Sequence, residues 1–291
     1  MSAPTVSLMA DILIYTFIAL VSLSCVFPFI HVFSKSISQE AYVIANKVVL
    51  LPKGFSLDAY KKIFSDASII KSFYVSVIVT ILFTMLGMII TLCAAYPLSR
   101  KNLKGRSVLT VFFMFTMYFT GGIIPEYLLM DSLNLLDTWA VMILPLAFSP
   151  YNLLIMKTSL QTSISESLIE SAHLDGASEF TIFTRIIIPL SKPIIATLSL
   201  FYAVGRWNAY QDALFYIKQN ISLRPLQLKL YYLVVTSTES FQAALEGSAQ
   251  LTNPEVLKAA CIIFATVPIL CIYPFVQKYF VQGTMIGSVK E

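Results

Sequence analysis

Six stretches of this chain are apolar for long enough, or nearly so, to cross a lipid bilayer. They run from about 12 to 30, 72 to 98, 107 to 125, 138 to 156, 193 to 216 and 259 to 276. A crossing helix needs about 20 such residues, because it rises about 1.5 Å per residue through a hydrocarbon core of about 30 Å. Five of the stretches contain no Asp, Glu, Lys or Arg, and the one at 193–216 has only Arg206 and Asp212. In lipid each backbone N–H and C=O must find its partner inside the chain, so such segments fold as helices. The expected fold class is all-α, a polytopic transmembrane bundle of six spans.

Composition agrees. Hydrophobic residues make up 57% of the chain and charged ones 12%, against about 25% charged in a soluble domain. Mean hydropathy is +0.77. The net charge of +4 comes with no basic stripe or nucleic-acid motif, so nucleic acid is not an expected partner and membrane lipid is. Cys25, Cys93, Cys261 and Cys271 all fall in apolar runs without metal spacing and read as small apolar filler, with no metal site expected. The first apolar run has neither a basic leader nor a small-residue cleavage site, and is expected to be a retained span.

Two regions follow from this pattern. Residues 1–70 hold the first span and a long outer loop; residues 71–291 hold five spans and a polar loop at 163–192 that keeps helical periodicity. Six spans place both termini on one side. The short stretch 99–106, with Arg100, Lys101, Lys104 and Arg106, favours that side as the cytoplasmic one. Residues 34–71 carry six lysines and pull the other way.

The 163–192 loop is the most informative segment. Ser163 with Glu166, and Ser167 with Glu170, have capping-box spacing. Ile164, Leu168 and Ala172 are spaced to share one face. Gly176 ends that helix, since glycine accepts a left-handed cap. A second helix carries Phe180, Phe183 and Ile187 on one side, and Pro189 and Pro193 reset the chain before the next span. An apolar face outside lipid needs a partner. A helix lying flat among headgroups is the alternative, but Glu166, Glu170, Asp175 and Glu179 would be repelled by anionic lipid.

Within this loop Glu170, Ser171 and Ala172, then Asp175, Gly176 and Ala177, then Ile188 and Pro189 resemble the "EAA" loop of permease subunits of binding-protein-dependent ABC importers. Ser171 stands where the pattern has its middle alanine. The segments Phe119–Pro125, Phe201–Asn208, Pro225–Leu228 and Tyr273–Gly283 are similar to the carbohydrate-type subfamily for oligosaccharides and polysaccharides, which includes alginate-importer permeases. The resemblance implies a type I ABC importer permease fold in a bacterial inner membrane. It implies that the hairpin is a coupling helix seated in a cytoplasmic ATPase, with Glu170 pairing a basic group, Gly176 making the turn and Phe180 or Phe183 filling an apolar pocket. The implied partners are a second homologous permease, two ATPase subunits that bind ATP and Mg, and an external sugar-binding protein met by the 217–257 segment. Substrate then moves by alternating access, and acidic polymers such as alginate are within the implied substrate class. The chain has no Gly-x-x-x-x-Gly-Lys-Ser/Thr loop of its own, so no cofactor is expected within it, nor enzymatic activity.

The fifth stretch is the candidate substrate path. On a continuous helix Gly205, Asn208 and Asp212 form a polar stripe with Gln211 alongside, and such a stripe faces protein or water rather than lipid. Trp207 and Tyr210 supply flat faces for sugar rings. Arg206 sits about 20 Å beyond Pro193 along a helix, where a guanidinium can hold the carboxylate of an acidic sugar. A structurally paired or snorkelling arginine is the alternative. In the third stretch Thr116, Tyr118 and Thr120 add hydroxyl or stacking contacts, and Gly121 and Gly122 before Pro125 break the helix. Two rival classes are disfavoured. An ion-coupled carrier or channel has no use for the loop and wants ionisable groups near the midplane. An intramembrane enzyme needs a nucleophile–base pair or metal cluster, and neither His31 nor His173 is placed for one.

Overall fold

The computed structural model describes residues 4–245 and 255–288, with side chains described for 10–235 and 255–274. The helices, in order, are α1 (Pro4–Ser36), α2 (Glu40–Ile44), α3 (Asp58–Ser65), α4 (Ala67–Ser99), α5 (Arg106–Tyr118), α6 (Ile123–Ser132), α7 (Trp139–Ile143) and α8 (Pro150–Ser163). Then come α9 (Glu166–Leu174), α10 (Glu179–Ile182), a π-helical turn (Phe183–Ile187) and α11 (Ile188–Leu190). The rest are α12 (Lys192–Asn208), α13 (Gln211–Tyr216), α14 (Leu226–Leu245) and α15 (Glu255–Ser288).

Among the described residues three helices are long and apolar enough to span a membrane: Ala10–Ser36, Ala67–Ser99 and Glu255–Pro274. Two further pairs pass as bent spans, Arg106–Tyr118 with Ile123–Ser132 at 107° and Glu179–Leu190 with Lys192–Asn208 at 79°. With each bent pair taken as one span, the described residues hold up to five by length and composition, against the six expected. The difference lies at 138–156. There α7 is five residues long and α8 starts afresh at Pro150, because prolines 145 and 150 cannot donate to a continuous helical ladder. The break between α5 and α6 falls at the expected glycines, with Gly122 at φ +83°, a left-handed backbone that L side chains resist.

The chain divides into two compact units, Met1–Ile70 with Leu230–Val267, and Lys71–Lys229 with Pro268–Glu291. In the first, every residue of α1 from 10 to 30 is exposed. His31 Nδ1 lies 2.7 Å from the Val49 carbonyl and Ser34 Oγ donates to that of Leu50 at 2.5 Å, so the end of α1 holds the loop that follows. Lys35 and Lys258 both approach the Glu255 carboxylate, at 3.9 and 3.1 Å.

In the second unit α4, α8, the 164–187 segment and α12 share one core, built on Phe83, Met88, Tyr96, Leu153, Met156, Ile169, Ile182, Ile187, Leu198 and Tyr202. Gly87 lets the backbones close up: a Cβ there would meet the Ala147 carbonyl oxygen at 2.8 Å and the Tyr202 ring at 2.9 Å. The Tyr202 hydroxyl lies 2.7 Å from Thr91 Oγ1 and accepts from the Ser149 N–H at 3.1 Å. One buried phenol thus ties α12 to α4 and to the start of α8.

Candidate functional site

The 163–192 segment folds as a hairpin turned at Gly176. Its φ is +79°, the Gly176 N–H donates to the His173 carbonyl and the Ala177 N–H to that of Ala172, at 3.0 and 2.9 Å. That pair of bonds is the Schellman ending, which satisfies carbonyls a helix otherwise leaves open. Ile169 and Ala172 from α9, and Ile182 and Ile187 beyond the turn, are buried in the shared core. The hairpin is therefore anchored on the α4–α8–α12 core through one face. Pro189 lacks an N–H and its ring crowds the carbonyl four residues back, and the preceding turn widens to π geometry.

Several expected details change. Neither capping box forms: Ser163 is the last residue of α8, Ser167 lies inside α9, and Ser165, with extended backbone, precedes α9 without a side-chain cap. At the second helix Ser178 does cap, accepting from the Thr181 N–H at 3.3 Å. Ile164 and Leu168 do not share a face, because Ile164 lies outside α9 in extended backbone. Ile169 takes the inward place and Leu168 is exposed. Phe180 and Phe183 also part. Phe183 packs on the core with its ring 5.4 Å from that of Tyr96, whereas Phe180 is 75% exposed.

Glu170, Ser171, Asp175, Gly176 and Phe180 are all exposed on the hairpin. Ala172 and Ala177 are turned toward the core. Leu174, which sequence reasoning passed over, is 89% exposed at the tip. Its i+5 spacing from Ile169 off the inward face was the available signal. Two apolar side chains, Leu174 and Phe180, thus stand in the open on the segment that carries these acids. At the base of the hairpin Lys101 reaches Glu166 at 3.6 Å.

The second candidate lies at the breaks in the third and fifth stretches. The expected polar stripe does not form, since α12 stops at Asn208 and α13 begins at Gln211, so helical periodicity is not carried from Gly205 to Asp212. Gly205 and Asn208 are exposed, and Asn208 Nδ2 donates to the Val204 carbonyl at 3.0 Å. Arg206 is 5% exposed. Its Nη1 donates to Asp212 Oδ2, and its guanidinium carbon lies 5.6 Å from the Phe83 ring centre. The charge is thus met inside the chain, which favours the paired arginine over a free carboxylate receptor. Trp207 is buried edge-on against Phe73 at 5.9 Å, so its face is not open to a sugar.

A cavity of about 280 Å³ adjoins this break, lined by Thr120, Glu126, Arg206, Gln211, Asp212 and Tyr216 among others. It gathers four of the expected residues and leaves out Tyr118, Trp207, Asn208 and Tyr210. Tyr118 is exposed at the end of α5 and Tyr210 half-buried in the break. Glu126 and Tyr216 had not been singled out; the bend at Gly122 and the break at 209–210 bring them in.

Comparison with known proteins gives a uniform picture. The family described as "Binding-protein-dependent transport system inner membrane component" matches residues 105–286. The polygalacturonan/rhamnogalacturonan transport system permease protein YtcP of Bacillus subtilis (strain 168) is 44% identical over 281 residues, 96% of this chain and 98% of that one. Protein LplC of the same organism is 42% identical over 265 residues, 91% and 89% of the two chains. A chain of a bacterial ABC transporter that imports the acidic polysaccharide alginate superposes with a TM-score of 0.83 at 32% identity, covering 94% of this chain and 96% of that one. A chain of the alginate transporter in complex with its pentasaccharide-bound periplasmic protein gives 0.57 at 15% identity over 93% and 94%, a likeness of fold alone.

Proposed function

Because this chain belongs to the family of binding-protein-dependent transport system inner membrane components, we propose that it is a permease subunit of an ATP-driven importer of oligosaccharides or polysaccharides, acidic ones of the pectin and alginate kind included. It is a transport subunit rather than an enzyme. ATP and Mg are bound by two cytoplasmic ATPase subunits, and the termini share their side of the membrane. A second homologous permease completes the path, and an external binding protein delivers the sugar to the 217–257 segment, of which 246–254 lie outside the described residues.

One observation carries this reading: a hairpin anchored by Ile169, Ala172, Ile182 and Ile187 leaves Leu174 and Phe180 exposed on the same short segment as the exposed acids Glu170 and Asp175. Exposed apolar side chains on a segment that also exposes acids fit an apolar pocket with a basic rim, since buried apolar anchors supply affinity and rim charges supply register. The same surface suits an anionic bilayer poorly. Closure of the ATPase dimer then moves the hairpin, and the spans pass from inward-open to outward-open. The exposed apolar length of α1 is a surface for lipid and the second permease. Substrate passes by the cavity at the α12–α13 break, where Thr120, Gln211 and Glu126 offer hydroxyl-pairing groups, with Arg206 and Asp212 as its brace.

Co-expression with the neighbouring permease and ATPase tests the proposal. The ATPase co-purifies with the wild type and is lost with Glu170→Lys or Gly176→Trp. No ATPase on the wild type would sink the reading.

A further inference from the structure

Glu179 opens α10, and its carboxylate receives two contacts from two different helices. The Tyr96 hydroxyl, near the end of α4, donates to Oε2 at 2.6 Å. His173 Nε2, in the last turn of α9, lies 3.2 Å from Oε1. Tyr96 is buried and its ring rests against Phe183, while Glu179 itself is largely exposed. Burial therefore does not require this carboxylate. Its geometry makes it a bridge from both arms of the hairpin to the membrane helix.

The other contacts that hold the hairpin differ in kind. Ile169, Ala172, Ile182 and Ile187 pack by apolar contact, which is non-directional and tolerates sliding. Lys101 and Glu166 sit 3.6 Å apart with the lysine in solvent, and an exposed pair of that sort contributes little. The Tyr96–Glu179 bond is charge-assisted and directional, and its donor has no freedom to swing away because Phe183 packs on its ring. We infer that Glu179 is a positioning residue that transmits displacement of the hairpin to α4 through Tyr96, with His173 holding the carboxylate in register. This rests on the hairpin being the ATPase seat. Hairpin and helix then move as one lever rather than as two surfaces that slip.

The test uses the complete importer in proteoliposomes: this chain, its partner permease, the ATPase and the binding protein. Three variants are compared: Tyr96→Phe, Glu179→Ala and Glu179→Gln. All three retain the ATPase on co-purification. Sugar moved per ATP hydrolysed falls about tenfold in Tyr96→Phe and in Glu179→Ala, the scale one charge-assisted hydrogen bond supports. Glu179→Gln falls between wild type and Glu179→Ala, since its amide oxygen still accepts from Tyr96 but without the charge. The Tyr96→Phe, Glu179→Ala double variant is no worse than either single one, as for two ends of one contact. Wild-type transport per ATP in Tyr96→Phe overturns the inference, as does Glu179→Gln behaving like Glu179→Ala. Loss of the ATPase from Glu179→Ala alone also overturns it and makes Glu179 a docking contact. Absence of ATPase from the wild type fails the hairpin reading itself.

Discussion

Arg206 at the end of α12 and Asp212 in the first turn of α13 form a buried ion pair across the two residues where the helix stops. The second Arg206 nitrogen, Nη2, and the second Asp212 oxygen, Oδ1, have no hydrogen-bond partner among the described residues. Removing one member leaves a charge stranded in a poorly solvated place, at about 3–5 kcal/mol. Arg206→Gln and Asp212→Asn are each expected to lower the thermal midpoint of the purified importer, and a double Arg206→Met, Asp212→Leu variant to recover part of the loss. The effect is structural, so Arg206→Gln should reduce uptake of neutral and uronate oligomers alike. Selective loss of uronate uptake would restore the free carboxylate receptor.

Gly176 sits at φ +79° with open space around a Cβ. The cost of a side chain there is backbone strain, of order 1–2 kcal/mol. Gly176→Ala is expected to weaken ATPase retention partially and Gly176→Trp to abolish it, while detergent-extracted yield changes little. Equal retention across the series, read by pull-down against a salt gradient, counts against the turn being part of the docking surface.

Leu174 and Phe180 stand in the open whereas Phe183 packs inward. Leu174→Asp and Phe180→Ala should strip the ATPase with no change in melting temperature, a loss of about 2 kcal/mol or more in association if they are the anchors. Phe183→Ala should do the opposite, lowering the melting temperature by opening a cavity, with up to about 3 kcal/mol at stake. A melting shift in Leu174→Asp that equals the one in Phe183→Ala contradicts the assignment.

Tyr202→Phe removes the hydroxyl that meets Thr91 and the Ser149 N–H. The half-buried Ser149 N–H loses its acceptor and the buried Thr91 hydroxyl its partner, at about 1–3 kcal/mol. Gly87→Val should be more damaging, since its first added carbon already meets backbone at 2.8 Å. Both are measured by thermal unfolding of the purified subunit pair. A neutral Gly87→Val would mean that α4 can move away from the 147 region freely.

The helical class, the membrane as solvent and the hairpin at Gly176 were all legible in the residues alone. Each rests on short-range physics. An apolar run in lipid has no backbone option but a helix, and a glycine after a helical run ends it in the left-handed region whatever lies around it. The EAA spacing belongs to the same category, because it is local in sequence. Span boundaries were less legible. The run 138–156 reads as one helix by hydropathy, but Pro145 and Pro150 interrupt its ladder, and hydropathy does not count hydrogen bonds.

What only the tertiary structure decided is which side of each local element faces inward. Ile169 rather than Leu168, and Phe183 rather than Phe180, entered the core because α4 and α8 present it from one direction. Arg206 became a brace because the chain breaks at 209–210 and folds Asp212 back onto it. Tyr96 and Glu179, 83 positions apart, meet for the same reason. Periodicity describes one helix at a time. A pairing between helices depends on where each one stops and bends, and that is set by packing across the whole unit.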